Sequence, residues 1–299
     1  MTLQQLKYVT TVAQTGTITE AAGKLYISQP SLTNAIHELE KEMQITIFNR
    51  TNKGITLSKE GEDFLGYARQ VLEQAEILED KYKGSGGGKK QFCVSTQHYS
   101  FAVNAFVDLI KEYGQDEYDF SLRETQTYEI IEDVARMRSE IGILFLNDFN
   151  EAVLKKILRS HDLEFHPLFT AKPHVFISRK HPLAGHTVIC NEELEEYPYL
   201  SFEQGEHNSF YFSEEIFSTS ERKRNIRVRD RATLFNLLIG LNGYTVCSGV
   251  IDKKLNGKDI IAVPLADESD MRIGTITHRK GRPSRLGESY LRALNRYLQ

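Results

Sequence analysis

The chain has 299 residues, of which 40% are apolar and 26% charged. That length suits two or three domains with real cores, and that composition excludes intrinsic disorder. Lys and Arg total 37 against 41 Asp and Glu, a net charge of -4, which runs against the basic footprint of most nucleic-acid binders.

No stretch of about 18 apolar residues occurs, so no membrane helix is expected. The start, Met1 to Gly16, lacks the charged, apolar and small-residue blocks of a signal peptide. Cys93, Cys190 and Cys247 lie far apart and read as reduced, buried, inert thiols. A cytoplasmic location without a membrane partner follows.

In chain order, Leu3, Leu6, Val9, Val12 and Ala13 recur at helical spacing. A second helix is expected after Thr19, with Ala21, Ala22 and Leu25 inward. Ser28 suits the N-cap of a third helix, and Pro30 falls in its first turn, where a missing N–H costs nothing. Leu32, Ala35, Ile36 and Leu39 form the buried face of that helix. Short strands over Ile45–Phe48 and Gly54–Leu57 flank a turn at Asn49–Lys53. A helix from about Lys59 to Tyr82 carries Phe64, Ala68, Val71, Ala75, Leu78 and Tyr82 at heptad spacing. That seam reads as pairing with a second copy, the alternative being packing within its own domain. Glycine-rich Lys83–Lys90 reads as a flexible linker.

Beyond residue 90, strands at Phe92–Ser95, Phe120–Arg123 and Ile141–Leu146 alternate with helices at Phe101–Ile110, Glu129–Arg138 and Glu151–Leu158. Such alternation implies an α/β fold with a mostly parallel sheet covered by helices. Further strands are expected at His174–Ser178, Ile226–Val228, Tyr244–Cys247, Ile260–Val263 and Ile273–Thr277. Helices are expected after Thr233 and over Gly287–Leu298.

Local charge differs from the total. Residues 1–90 carry 11 basic and 11 acidic side chains, and segment 43–59 holds Arg50, Lys53 and Lys59 with no acid. The richest constellation is Ile18–His37. Its alanines let two helices approach closely. The outward face of the later helix offers Gln29, Ser31, Thr33, Asn34 and His37, short hydrogen-bonding groups sized for base edges and phosphates in a major groove. A merely solvated face would carry more Glu and Lys.

Over Thr2–Arg69 the chain closely resembles the LysR-type transcriptional regulators. The matching motifs are Leu6–Tyr8, Gly16–Ala22, Ser28–Thr33, Leu39–Glu42, Ile47–Arg50 and Leu57–Gly61, in order and without gaps. His181–Ala184 and Gly240–Ile251 look like the effector domain of that family. The resemblance implies a winged helix-turn-helix over 1–58, with the helix-turn-helix at 18–37, and a linker and dimerisation helix with hinge over 59–90. It also implies a two-lobed α/β effector-binding domain over 91–299, similar in fold to periplasmic solute-binding proteins. Its lobes are expected at 91–163 with 268–299, and at 164–267. DNA contacts carried over by position are Gln29, Pro30, Ser31, Thr33 and Asn34, with Arg50 and Lys53 on the wing, and Thr19, Ser28 and His37 are expected to join them. Implied partners are double-stranded promoter DNA, a small-molecule effector, RNA polymerase and further copies in a homodimer or homotetramer. Met43-Gln44 stands where the family has Leu-Gly, Thr33-Asn34 where it often has Ser-Arg, and Ser248-Gly249 where it has Leu-Pro.

In open α/β lobes, ligands sit beyond the carboxyl ends of strands, near helix starts. Such points are Thr96, Gln97, His98, Tyr99 and Ser100; Thr125, Gln126 and Thr127; and Ser201, Phe202 and Glu203 with Asn208. Gly243 and Ser248 mark a fourth edge. Donor-rich loops converging there favour a small anion, a carboxylate in particular. The arginines from Arg222 to Arg231 read as a solvated edge or subunit contact, with an effector-site role as the other reading.

No cofactor, metal or enzyme activity is expected. Gly84–Lys90 has the wrong spacing and context for a phosphate loop, the histidines lack metal-ligand spacing, and no Gly-x-Ser-x-Gly elbow occurs. The competing readings are a redox-sensing regulator of the same family, an enzyme on a two-lobed scaffold, and a solute-binding module for transport.

Overall fold

A computed structural model describes residues 1–51, 54–83, 90–114, 117–207, 209–216, 218–220, 222–250, 258–267, 269–279, 281 and 283–297, with the backbone alone at 50, 51, 54, 73, 76, 77 and 80–83. The chain divides into two compact units, Met1–Gly88 and Lys89–Gln299. Most of the glycine-rich linker lies outside the described residues.

The first unit begins with helices α1 (Leu3–Thr15), α2 (Ile18–Lys24) and α3 (Gln29–Met43). Each start is capped by a hydroxyl. Thr2 and Gln5 form a reciprocal capping box, Thr17 accepts the Glu20 N–H, and Ser28 accepts the Ser31 N–H. The second helix therefore starts before Thr19. Val9 and Val12 meet Leu32, Ile36 and Leu39 in one core that also takes in Ala21 and Ala22, and Leu6 is buried. Two small side chains there let the backbones approach, which is what a tight helix-turn-helix needs.

Gln44 ends α3 in the left-handed conformation, φ 56, where glycine would sit without strain. From the last turns of α3, Glu40 Oε1 accepts the N–H groups of Ile47 at 2.7 Å and Phe48 at 3.1 Å. The wing follows as an antiparallel pair, β1 (Phe48–Thr51) and β2 (Gly54–Leu57). The sequence reading put the first strand over Ile45–Phe48. The Ile45 N–H is instead taken by the Glu40 carbonyl and the Ile47 N–H by the Glu40 side chain, and pairing begins at Phe48. Helix α4 (Lys59–Lys83) packs on α1 and adds Leu65 to the same core.

The second unit holds two sheets. The first contains β3 (Lys90–Thr96), β4 (Tyr118–Glu124), β5 (Ile141–Leu146), β6 (Leu163–Ala171) and β12 (Met271–His278), in the order β4-β3-β5-β12-β6. β3 runs parallel to β4 and β5, whereas β12 runs antiparallel to β5 and β6. β5 is buried at every position. Its Ile141, Ile143 and Phe145 enter the core under α5 (Ser100–Tyr113) and α9 (Arg285–Arg296), while Leu144 and Leu146 enter the core under α6 (Thr127–Ala135) and α7 (Glu151–Ser160). This period of two on a wholly apolar strand is the signature of a sheet covered on both faces.

β6 was not foreseen, because Pro167 interrupts its apolar pattern. It is an edge strand, and the register shift opposite Ile273 and Gly274 falls at this proline, so the missing N–H costs no ladder bond. Gly274 is required there, since a Cβ would lie 2.3 Å from the Phe165 ring. The first sheet therefore extends to Ala171 rather than stopping at 163.

The second sheet holds β7 (His174–Ser178), β8 (Tyr199–Phe202), β9 (Asn225–Val228), β10 (Tyr244–Cys247) and β11 (Ile260–Pro264), in the order β11-β7-β10-β8-β9. Helix α8 (Arg231–Leu241) covers one face through Leu234 and Leu238. Two lobes result, each with its own sheet, and the chain passes between them after β6 and again after β11.

Candidate functional site

The outward face of α3 forms the first candidate site. Gln29, Pro30, Ser31, Asn34 and His37 are exposed and Thr33 is half-buried, opposite buried Leu32, Ile36 and Leu39. Thr19 of α2 donates to Gln29 Oε1 at 3.2 Å, which fixes the first side chain of α3. Ser28 Oγ is engaged as the helix cap and lies 2.7 Å from Ser31 Oγ. Arg50 lies on β1, with its side chain outside the described residues, as is the whole of Lys53.

The heptad seam of α4 divides along its length. Ala68 is buried and Phe64 half-buried against their own unit, whereas Val71 is 41% and Leu78 59% exposed. Ala75 is half-buried, and the Tyr82 side chain lies outside the described residues. Only the later part of the seam thus presents an uncovered apolar face.

The second candidate site lies between the two lobes of the second unit. Its wall combines His98, Tyr99 and Ser100 from the first lobe with Phe176, Phe202, Arg231, Phe235, Thr245, Cys247 and Ser248 from the second, and with Glu214 and Glu215. The cavity measures about 50 Å³, room for a few water-sized groups.

The two glutamates belong to the segment after β8, which reaches across onto the first lobe. Its Phe212 enters the first-lobe core, and Tyr128 stacks on His207 with ring centroids 3.6 Å apart. Gln204 Oε1 accepts the Thr127 N–H at 3.0 Å, at the start of α6. Glu214 accepts the His98 backbone N–H at 3.0 Å and lies 2.9 Å from His98 Nδ1. Both side chains are enclosed, at 4% and 6% exposure. The His98 Nε2 lies 3.2 Å from the Arg229 carbonyl, so both ring nitrogens face acceptors. Burial opposes a charged imidazole, but the charge and hydrogen bond of Glu214, helped by Glu124 and the Arg229 carbonyl, outweigh it and raise the histidine pKa above 6.5. Arg231 of α8 pairs with Glu124 of β4 at 3.0 Å, a second ionic link between the lobes.

Glu215 is the least compensated charge. It accepts the Phe202 N–H and the Ser213 hydroxyl, each at 2.9 Å. Burial, and then the neighbouring Glu214, push its pKa from the ordinary 4.5 to about 8.

The structure brings three of the expected loops together but spends their donors on protein groups. Gln97 bonds Thr127, Tyr99 and the Phe145 N–H, and Thr96 accepts the Thr125 N–H through its carbonyl. Gln126 lies against Gly205. Glu203 pairs with Arg229. Ser201 is half-buried within β8 and does not line the cavity. Gly243 is a packing residue, since a Cβ there would lie 2.4 Å from Leu200. Asn208 lies outside the described residues. Of the expected set, His98, Tyr99, Ser100, Phe202 and Ser248 line the cavity. The helix-start donors already receive Gln204 and Glu214, and the remaining wall carries two carboxylates.

Glu214, Glu215, Phe176, Phe235 and Thr245 were missed by the sequence reading. An acidic pair just before an apolar residue in a long loop was the one available signal. Arg231 belongs to the basic run whose first reading is a solvated edge or subunit contact and whose second is an effector-site role, and it lines the cavity.

Cys93 and Cys247 have thiol pKa values raised by burial, the reverse of a reactive thiolate. Cys190 is exposed. Among the described residues no cluster of three or more His, Cys, Asp or Glu could hold a metal ion, and no helix is long and apolar enough to cross a membrane.

A winged helix-turn-helix and, in the second unit, two lobes enclosing a small cavity are the parts of a ligand-responsive DNA-binding regulator. Residues 3–62 match the model of the bacterial regulatory helix-turn-helix protein, lysR family, and residues 92–299 match the LysR substrate binding domain. The chain belongs to the LysR family of transcriptional regulators. The RuBisCO operon transcriptional regulator of Allochromatium vinosum is 24% identical over 94% of this chain and 91% of its own. ClcR of Pseudomonas putida is 37% identical over 30% of each chain. Among solved structures, a full-length OxyR variant from Pseudomonas aeruginosa gives a TM-score of 0.68 at 19% identity, covering 100% of this chain and 94% of the other. CbnR, a LysR family transcriptional regulator, gives 0.57 at 17% identity over the whole of both chains. At such identities the structural likenesses speak to fold alone.

Proposed function

We propose that this regulator reads promoter DNA through the N-terminal half of α3 and answers to a small molecule held between its lobes. Gln29, Ser31 and Asn34 reach base edges in the major groove, with Pro30, Thr33 and His37 beside them and Thr19 positioning Gln29. Arg50 and Lys53 meet phosphate or the minor groove from the wing. The observation that carries this reading is an exposed row of short polar side chains at a capped helix start, backed by a wholly apolar opposite face.

The protein works in the cytoplasm as a homodimer or homotetramer. The exposed Val71 and Leu78 of the later seam of α4 support pairing with a second copy, the earlier Phe64 and Ala68 serving their own unit. Pairing sets the distance between recognition helices and hence between half-sites. Effector binding favours one of two arrangements of the lobes, and the differential affinity for the two is what reaches the DNA. RNA polymerase is the partner that a promoter-bound regulator addresses, and no catalytic step is assigned.

Genome-wide mapping of bound sites, followed by titration of a recovered fragment and a scrambled duplex at equal salt, tests the reading. Preference for the recovered fragment by a factor of about a thousand or more is expected. Equal affinity for both duplexes contradicts it.

A further inference from the structure

The interlobe cavity carries an arrangement that specifies the chemistry of its occupant. Two carboxylates, Glu214 and Glu215, share its wall with four aromatic rings, Tyr99, Phe176, Phe202 and Phe235. Of the two cations at the same wall, His98 lies 2.9 Å from Glu214, and Arg231 reaches Glu124 through Nη2 at 3.0 Å while its buried Nη1 has no hydrogen-bond partner among the described residues. Glu215 receives only neutral donors, the Phe202 N–H and the Ser213 hydroxyl, and among the described residues no cation stands within ion-pair distance of it. Glu215 itself is 3% exposed.

We propose that this cavity binds a small organic cation, a primary or methylated alkylammonium, with Glu215 as its counter-ion and the aromatic rings against its carbon atoms. Aromatic faces carry negative charge density and attract ammonium groups, most strongly where water is excluded. A buried carboxylate without a cation is costly, and an ammonium removes that cost. An anion entering the same space would meet Glu214, already paired with His98, and above about pH 8 a second carboxylate at Glu215. The inference rests on the interlobe cavity being the effector site.

Proton linkage follows from the same geometry. The groups facing Glu215 are Glu214 on its own segment, His98 and Tyr99 from the first lobe, and Tyr199, Arg231 and Cys247 from the second. With its pKa at about 8, Glu215 holds a proton at neutral pH. An arriving ammonium displaces that proton into solvent, so affinity for the cation rises with pH until about 8.

The test uses full-length protein, wild type and Glu215→Gln, titrated by calorimetry with propylammonium, propionate and 1-propanol at matched ionic strength. The variant keeps an acceptor oxygen for the Phe202 N–H, and its thermal unfolding midpoint reports its folding. Wild type is expected to bind propylammonium with release of about one proton, read from heats in buffers of different ionisation enthalpy. Glu215→Gln is expected to bind about tenfold more weakly, a change of about 1.4 kcal/mol, and to release no proton. Preferred binding of propionate or 1-propanol overturns the ligand class, as does propylammonium binding that survives the substitution, or no binding by any probe. Operator affinity at saturating propylammonium separates the two readings. Binding through Glu215 without any change in operator affinity removes the effector role and leaves the cation selectivity standing.

Discussion

His98 and Glu214 face each other across the lobes at 2.9 Å, although they lie 116 positions apart in the chain. One sits at the start of α5 in the first lobe, and the other on the segment after β8 that the second lobe extends over its neighbour. Removing His98 leaves a buried carboxylate unpaired. His98→Asn should lower the stability of the sensor unit by about 3–5 kcal/mol, read from its denaturant midpoint. An unchanged midpoint would mean that the pair does not hold the lobes together.

That pair also gives the protein a direction in pH. The His98 pKa is raised above 6.5 in the folded state, so its stabilisation is complete below 6.5 and is lost as pH rises through the raised value. Glu215 acts with the same sign. Its contribution is complete below 4.5 and is lost as pH climbs to about 8. Stability measured at increasing pH should therefore fall across that interval, and Glu215→Gln should flatten the fall. A slope identical in both proteins would contradict the placement of Glu215.

Packing around β5 yields a third expectation. A Cβ on Gly142 would lie 2.6 Å from Ile276 Cγ1 and 2.8 Å from Ile130 Cγ2, both fully buried. Gly142→Ala should cost about 1–3 kcal/mol by overpacking the seat of α6 on the first sheet. Neutral behaviour in urea unfolding would show that the strand and helix stand further apart.

Much of this architecture was legible in the chain. The capped start of α3 at Ser28 and the apolar run Ile141–Leu146 are local signals with a single physical reading. Two kinds of feature were not legible. β6 was hidden by Pro167, which is tolerated only because the strand lies at an edge and bulges there, both facts of tertiary context. The cavity was hidden because its key carboxylates follow a single short 3-10 turn, Phe210–Phe212, in a segment whose place is set by Phe212 and His207 packing on the other lobe. Loop donors at Thr127 and His98 pointed to the correct region but not to its charge. Side chains from far along the chain consume those donors.

Gln44 gives a fourth prediction, in the DNA-binding unit. It occupies a left-handed position at φ 56, in which a side chain costs roughly 1 kcal/mol that glycine avoids. Gln44→Gly should raise the unfolding midpoint of this unit without altering DNA affinity. A lower midpoint would show that the Gln44 side chain makes a stabilising contact that outweighs the strain.

The most direct measurement for the protein as a whole is the affinity of Gln29→Ala for a mapped operator and for a scrambled duplex, each across a range of salt. Loss of about 1–3 kcal/mol on the operator, little change on the scrambled duplex and an unaltered salt slope are expected of a residue that reads a base edge. Unchanged operator affinity at fixed salt would contradict the assignment of the α3 face to DNA.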